Sequence, residues 1–350
     1  MEMEKDILLQ YGIEASKIER ITDSLFRVQY NGRYFALKRS SSSFSETDLW
    51  RNVHHDAASG HMRGVLPIYM TAWGSATVVM NEELYYLTPW IEARSSEPAL
   101  LYETIGYIHG RTKQQVMLNT SAWLESIKVY KLEVQEGRKA LLQAIEQFES
   151  RHFMSPFELS CCTQYAEADR AFEELIRQLD LIINMLGKNP VWQTSITHGN
   201  MTSDHFLNGT TPMFSNWEQV QRRNATSDLF IYFQSEMAGS LSFSNRDSYL
   251  GTFKTYMQQN KLTSLERSYL AICLLDPRAY LTYIQKQISG PRYNSMIGSV
   301  KVLNEMFRVM MFGLSWVHYC SEIFAIESYR EHSDPPQVKG EEEASEEAEQ

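Results

Sequence analysis

Ile196-Thr197-His198-Gly199-Asn200-Met201-Thr202-Ser203-Asp204-His205-Phe206-Leu207, followed by Phe214-Ser215-Asn216-Trp217-Glu218 and then by Ser227-Asp228-Leu229, is the text on which the reading of the fold turns. Short apolar runs at 195–198, 205–207 and 213–214 alternate with turn signals at Gly199 and Asn208-Gly209, which predicts small β-elements across residues 194–217. The neighbours Asp204 and His205 have the residue types of a base and its orienter. No nucleophile accompanies them, and adjacent residues on a short strand point to opposite faces.

Outward from this stretch, both flanks read as helix. Residues 99–115, 121–152 and 167–186 precede it, the last with Phe172, Leu175, Leu179, Ile182 and Ile183 on one face, and helices resume over 227–329. Leu303, Phe307, Met310, Leu314 and Val317 recur at three and four spacing as a core-facing stripe, and the methionines around them read as packing. Before residue 98 the pattern differs. A short helix at 4–11 leads to strands at 18–30 and 33–39 joined by Asn31-Gly32, a strong two-residue hairpin signal. A helix over 44–59 follows, with Phe44, Ser45, Glu46, Thr47 and Asp48 supplying N-terminal capping chemistry. Apolar runs at 65–70, 76–80 and 84–88, separated by Trp73-Gly74 and Asn81-Glu82, then suit a meander of short strands ending at Pro89-Trp90.

Composition bounds the function. The chain has 350 residues, 43% hydrophobic, with 33 Lys+Arg against 43 Asp+Glu and a formal charge of -10. That composition folds, and the length suffices for a bilobal unit with a cleft. Eight of the acids lie in residues 331–350 beside a single lysine, so the body is near neutral and the tail carries the acidity. No clustered Lys and Arg offer a footprint for nucleic acid. The start lacks an export signal and no run of about 18 apolar residues suggests membrane insertion. Cys161, Cys162, Cys273 and Cys320 follow neither metal nor disulfide spacing and read as buried free thiols. His54, His55, Asp56 and His61 match no familiar zinc spacing and read as a solvated helix face.

A hairpin ending in Tyr34-Phe35-Ala36-Leu37-Lys38, a helix, more strands, the Pro89-Trp90 connector and a helical remainder follow the order of a protein-kinase-like fold. The stretch quoted at the outset resembles the aminoglycoside-phosphotransferase branch of that superfamily. The branch pattern is His-Gly-Asp, an Asn shortly after, an Ile-Asp-Trp-Glu-like strand and Asp-Leu. Within it, the run from Val65-Leu66-Pro67-Ile68-Tyr69 to Tyr85-Tyr86-Leu87-Thr88-Pro89-Trp90-Ile91-Glu92 is similar to the spore-coat CotS/YsxE type. The resemblance implies an α+β, bilobal fold, a small β-rich lobe at 1–91 and a helical lobe at 92–330 with the catalytic-loop motif; the acidic tail at 331–350 has no apolar face to bury and is expected to be disordered.

In active members of the superfamily a strand lysine binds phosphates and pairs with a helix carboxylate, a loop Asp handles the hydroxyl proton, and Asn and a second Asp hold Mg²⁺. By position Lys38 is the phosphate lysine, with Glu46, Asp48 or Asp56 as its partner. Asn200 stands where the loop Asp belongs, His205 where the metal-binding Asn belongs and Asn216 where the metal-binding Asp belongs. An amide cannot accept a proton near neutral pH, and an imidazole nitrogen is a poor match to a hard cation. The expected phosphate-covering loop, 21–28, contains no glycine to let its backbone approach phosphates. His198 is expected to brace the loop by hydrogen bonds, Trp217 and Asp228 to serve as packing and helix-capping anchors, and Gly199 to belong to the same structural motif. The resemblance therefore implies a pseudokinase with no competent catalytic residue, metal or cofactor. It would be deposited from the mother-cell cytoplasm into the spore coat, with other coat proteins as partners and neither nucleic acid nor membrane involved. Two alternatives remain open: a small-molecule phosphotransferase using Mg-ATP, and a nucleotide- or sugar-binding module without chemistry.

Overall fold

The computed structural model describes residues 2–40, 46–92, 97–188, 190–239, 246–289 and 295–333. The chain opens with α1 (Glu2–Gln10), β1 (Lys17–Arg20), β2 (Leu25–Tyr30), β3 (Arg33–Arg39), α2 (Asp48–Ala58), β4 (Val78–Met80) and β5 (Glu83–Pro89). The strands form one antiparallel sheet in the order β1-β2-β3-β5-β4. Asn31 and Gly32 both take positive φ, 47° and 73°, which closes the β2–β3 hairpin with the twist that its strands need. The strand expected over 18–30 is broken. Arg20 ties Asp23 at 2.6 Å, the Ser24 amide caps Thr22 Oγ1, and the chain reverses at 21–24 into a further hairpin. Thr47 caps α2 by accepting from the Trp50 amide; Phe44 and Ser45 lie outside the described residues.

The run 65–70 is not a ladder strand. Its ends make isolated bridges, Tyr69 to Leu87 in the first sheet and Val65 to Phe214 in the second half of the chain, so it links the two lobes. Of the run 76–80, Val78–Met80 pairs as β4.

The second half holds α3 (Pro98–Arg111), β6 (Gln114–Val116), α4 (Thr120–Glu149), α5 (Pro156–Leu186), β7 (Trp192–Thr197), β8 (Phe206–Asn208), β9 (Pro212–Phe214) and β10 (Gln221–Arg223). It continues as α6 (Thr226–Gly239), α7 (Arg246–Thr252), α8 (Lys254–Gln259), α9 (Ser264–Leu275), α10 (Arg278–Ser289) and α11 (Met296–Ser333). α3 stops short of its expected end because residues 114–116 pair with β7, and Thr112 Oγ1 accepts from the Ile196 amide at 2.9 Å. α5 starts eleven residues early on a capping box between Ser155 and Glu158, with Pro156 at its first position. α11 runs three residues past the expected start of the tail, and 334–350 lie outside the described residues.

One core joins the lobes: Trp50, Val53 and Tyr86 pack with Leu101, Tyr102, Phe214 and Trp316. A smaller core beneath α1 (Ile7, Leu8, Val28, Leu37, Leu87) belongs to the sheet, and another (Phe172, Leu175, Leu303, Met310) to the helices. The four cysteines carry free thiols; Cys161 is buried and the other three are half-buried. No helix among the described residues is long and apolar enough to cross a membrane.

Candidate functional site

A cleft of about 440 Å³ lies between the lobes, lined by Leu25, Ala36 and Lys38 from the hairpin, His54 from α2, Tyr86 and then Thr88 to Glu92 along β5 and its exit, and Asp204, His205, Leu207 and Asn216 from the motif. A larger groove, about 830 Å³, lies between α5, α7 and α11 and holds none of the motif residues. The sequence motif and the lysine strand thus converge on the interlobe cleft.

The loop that carries the motif is braced from below. Asp228, fully buried in the first turn of α6, accepts from the His198 amide at 2.6 Å, the Gly199 amide at 2.8 Å and His109 Nε2 at 3.1 Å. Burial alone would raise its carboxyl pKa, but the His109 contact and the loop amides outweigh it and hold the group below the ordinary value. Asp228 therefore does not cap its own helix, as a capping anchor would; it caps the loop. His198 donates from Nε2 to the Ser215 carbonyl at 2.6 Å and accepts the Asn200 amide at Nδ1, 3.2 Å away. Burial pushes its pKa down to about 4, so the ring is a neutral strut and not a proton carrier near pH 7. Trp217 packs 4.9 Å from the His198 ring and donates from Nε1 to the Phe214 carbonyl. Gly199 has φ +80°, and a Cβ there would stand 2.1 Å from the Gln219 carbonyl oxygen, so only glycine fits.

Of the degenerate positions, His205 and Asn216 line the cleft with their polar atoms already bonded, whereas Asn200 is not among the lining residues. His205, in the 3-10 turn Ser203–His205 and not on a strand, donates from Nδ1 to the Asn200 carbonyl at 2.8 Å, and burial lowers its pKa. Both Asp204 and His205 line the cleft, so the opposite-face expectation for a strand does not apply. Asn216 adopts a left-handed conformation, φ 63°, which Asn tolerates better than most residues. Its Oδ1 lies 2.5 Å from Lys38 Nζ.

Lys38 requires a correction to its partner. Its Nζ pairs with Glu218 Oε1 at 2.7 Å, and the Tyr86 hydroxyl donates to the same carboxylate at 2.9 Å. Glu46 instead holds Arg51 at 2.9 Å and the Thr77 hydroxyl at 2.7 Å, and Asp48 faces Arg51 from the exposed start of α2. Asp56 lies off the buried face of α2, which consists of Trp50, Val53 and His54. The α2 residue that reaches the cleft is a histidine, so the lysine draws its carboxylate from the other lobe. Burial is the larger influence on Lys38 and lowers its pKa, and Glu218 opposes it.

These positions do not fit a magnesium ion. Asn216 Oδ1 is taken by an ammonium, His205 presents a donor to a carbonyl, and among the described residues no three His, Cys, Asp or Glu side chains are grouped to hold a metal. Sequence reasoning missed Glu218, Tyr86 and His54. Glu218 was visible two residues after Asn216, whereas the other two emerge only from strand register, Lys38 opposite Tyr86, and from the face that α2 turns inward.

No family model matches the chain, and no curated protein sequence matches it either. Solved structures do. An aminoglycoside phosphotransferase from Alicyclobacillus acidocaldarius superposes with a TM-score of 0.65 at 12% identity, over 91% of this chain and 96% of that one. The chain has a protein-kinase-like fold of the aminoglycoside-phosphotransferase type. Spectinomycin phosphotransferase, in its AMP-bound complex, superposes with a TM-score of 0.51 at 12% identity, over 89% of this chain and 98% of that one. The same enzyme with ADP and spectinomycin gives 0.51 at 11% identity with the same coverage. The kinase-like fold therefore embraces nearly all of the chain.

Proposed function

We propose that this protein is a catalytically degenerate member of the kinase-like fold that serves a structural or assembly role in the bacterial spore coat. It would be deposited there from the mother-cell cytoplasm among other coat proteins. The observation that carries the degenerate half of this reading is Asn216: a neutral amide oxygen stands where a transferring enzyme would hold an anionic metal ligand, and it is taken by the Lys38 ammonium. The coat half rests on the resemblance of the hairpin, hinge and motif residues.

A phosphotransferase is the second reading, and the structural likenesses favour it over a coat role, because the solved relatives are named as phosphotransferases over nine-tenths of the chain. Lys38 sits at the right strand position for it. The side chains at the motif positions speak against it, since neither Asn200 nor Asn216 can supply the base or the anionic metal ligand that such chemistry uses.

Phosphate release from Mg-ATP separates the two. The intact chain is expected to release no more phosphate than its Lys38→Met variant, with the variant's fold checked by near-ultraviolet circular dichroism. Turnover that disappears in Lys38→Met would establish the phosphotransferase reading. For the coat role, a fluorescent fusion in a sporulating host should ring the developing spore; uniform mother-cell fluorescence through late sporulation would refute it.

A further inference from the structure

We infer that the surface where the end of α3 meets β10 and the connection between α8 and α9 is a docking site for an acidic peptide segment, and that its occupant is the Glu-rich stretch 341–349 of the same chain. The site is built from Arg111, Lys113, Arg222 and Lys261, and it is independent of what the interlobe cleft does.

The sequence contains no basic run, but the fold makes a cluster from three separate places. Arg111 and Lys113 flank Thr112 at the end of α3, and Arg222 reaches over from β10 to donate to the Thr112 carbonyl at 2.9 Å. Lys113 Nζ donates to the Lys261 carbonyl, 3.1 Å away between α8 and α9. Arg111, Arg222 and Lys261 are exposed, and Lys113 is half-buried. Among the described residues Arg111, Lys113 and Arg222 form no ion pair. The acid that Lys113 senses, Glu266, is 1% exposed and is engaged by the Asn224 side-chain amide and the Thr263 backbone amide, each at 2.8 Å. Burial outweighs it and lowers the Lys113 pKa, and the ammonium, with three donors, is bonded to a single carbonyl. Along α4 and α5 the cations are matched instead: Lys128 has Glu125, Lys131 has Asp180, Arg138 has Asp169 and Arg177 has Glu174. Unmatched cations gathered in one place raise the local potential and favour an anionic partner.

The complementary charge is in the chain itself. Residues 341–350 hold six glutamates and no cation, and they have no apolar face, so charge is what they offer to a surface. Chain geometry permits the contact. α11 passes close to the α8–α9 region at Trp316, whose Nε1 donates to the Arg267 carbonyl at 3.1 Å, and at Tyr319, whose ring lies 6.1 Å from that of Phe253. From Tyr319 to Ser333 the helix advances about 21 Å. Residues 334–349 span up to about 53 Å when extended, so the glutamates can return to Lys261 whichever way α11 points. An attached segment also competes well against acids on other molecules, because a short tether presents it at an effective concentration on the order of millimolar.

Zero-length carbodiimide coupling of the full chain, which joins a carboxylate to a lysine amine in contact with it, tests this by peptide mass spectrometry. Lys113 and Lys261 should couple to Glu341–Glu349 at least about fivefold more than the exposed Lys17 and Lys286 do. In an equal mixture of ¹⁵N-labelled and unlabelled chains, the coupled peptides should carry one isotope. Arg111→Glu with Arg222→Glu leaves both lysines in place and should cut the coupling about fivefold, as should about 1 M NaCl, where the Debye length is about 3 Å. Coupling no greater than at Lys17 and Lys286, or undiminished in the double variant, would overturn the proposal. Mixed-isotope peptides would assign the surface to the segment of a second copy and overturn docking within the chain. Retention of the parent chain on double-stranded DNA or on anionic vesicles, lost in the double variant, would assign it to one of those surfaces and overturn it as well. Should the double variant not fold, the comparison of lysines within the parent still decides.

Discussion

Lys38 shows how a motif position can change its physical meaning through its neighbours. On a solvent-facing strand a lysine keeps its charge at little cost, but here its side chain is 18% exposed and Glu218 is 10% exposed. Pairing two such groups roughly offsets their desolvation, whereas removing one leaves the other's charge stranded. The pair also shares its carboxylate with the Tyr86 hydroxyl, whose pKa is raised well above the ordinary value by burial and by Glu218. Lys38→Met should therefore destabilise the fold by about 3 kcal/mol. Lys38→Met combined with Glu218→Gln should recover at least half of that, since no buried charge remains. Urea unfolding of the parent, both single variants and the double variant gives the coupling directly. Strictly additive effects would show that the two side chains do not depend on each other.

At the scale of elements, the chemistry of the motif loop depends on one backbone conformation. Gly199 lies where the chain leaves β7, and its own amide and that of His198 converge on Asp228. A side chain at φ +80° costs about 1–2 kcal/mol by itself, and the Gln219 carbonyl oxygen blocks the space as well. Gly199→Ala should lower unfolding free energy by at least about 2 kcal/mol and loosen the loop, seen as faster amide exchange at Asn200 and Met201; unchanged exchange would place the brace elsewhere. The same elements explain what was legible beforehand. Local signals survived folding: Asn31-Gly32 made its hairpin, the 3.6-residue stripes made α3 to α5 and α11, and the order of motif residues placed Lys38 and Asn216 across one cleft. Features set by distant partners did not. β6 reads as exposed polar sequence because its only requirement is backbone pairing with β7, and the 65–70 run satisfies its backbone through single bridges to two separate sheets. The partner of Lys38 was misassigned because the sequence says which residues lie on α2 but not which face turns inward.

For the whole molecule, the shared core makes the two lobes one cooperative unit, and buried His54 and His198 make that unit acid-sensitive. Trp50 from the first lobe and Trp316 near the end of the chain belong to the same apolar cluster, so neither lobe can open without exposing part of the other's interior. His54 packs against Trp50 on one side of the cleft, and His198 against Trp217 on the other. Each is neutral when folded, its pKa pushed from 6.5 down to about 4 by burial. In the unfolded chain both regain a pKa near 6.5. As pH falls through 6.5 the unfolded state takes up protons that the folded state refuses, so stability is fully present above that pH and is lost progressively down to about 4. Each histidine can contribute a slope of up to about 1.4 kcal/mol per pH unit. Urea midpoints should stay level between pH 8 and 7 and then drop steeply between 6.5 and 4.5, with tryptophan fluorescence and far-ultraviolet circular dichroism giving the same midpoint at every pH. His54→Phe should show a visibly shallower acid slope, because one of the proton-refusing groups is gone. An unchanged slope would mean that His54 is already protonated in the folded state, and a midpoint that differs between the two probes would mean that the lobes unfold separately despite their common core.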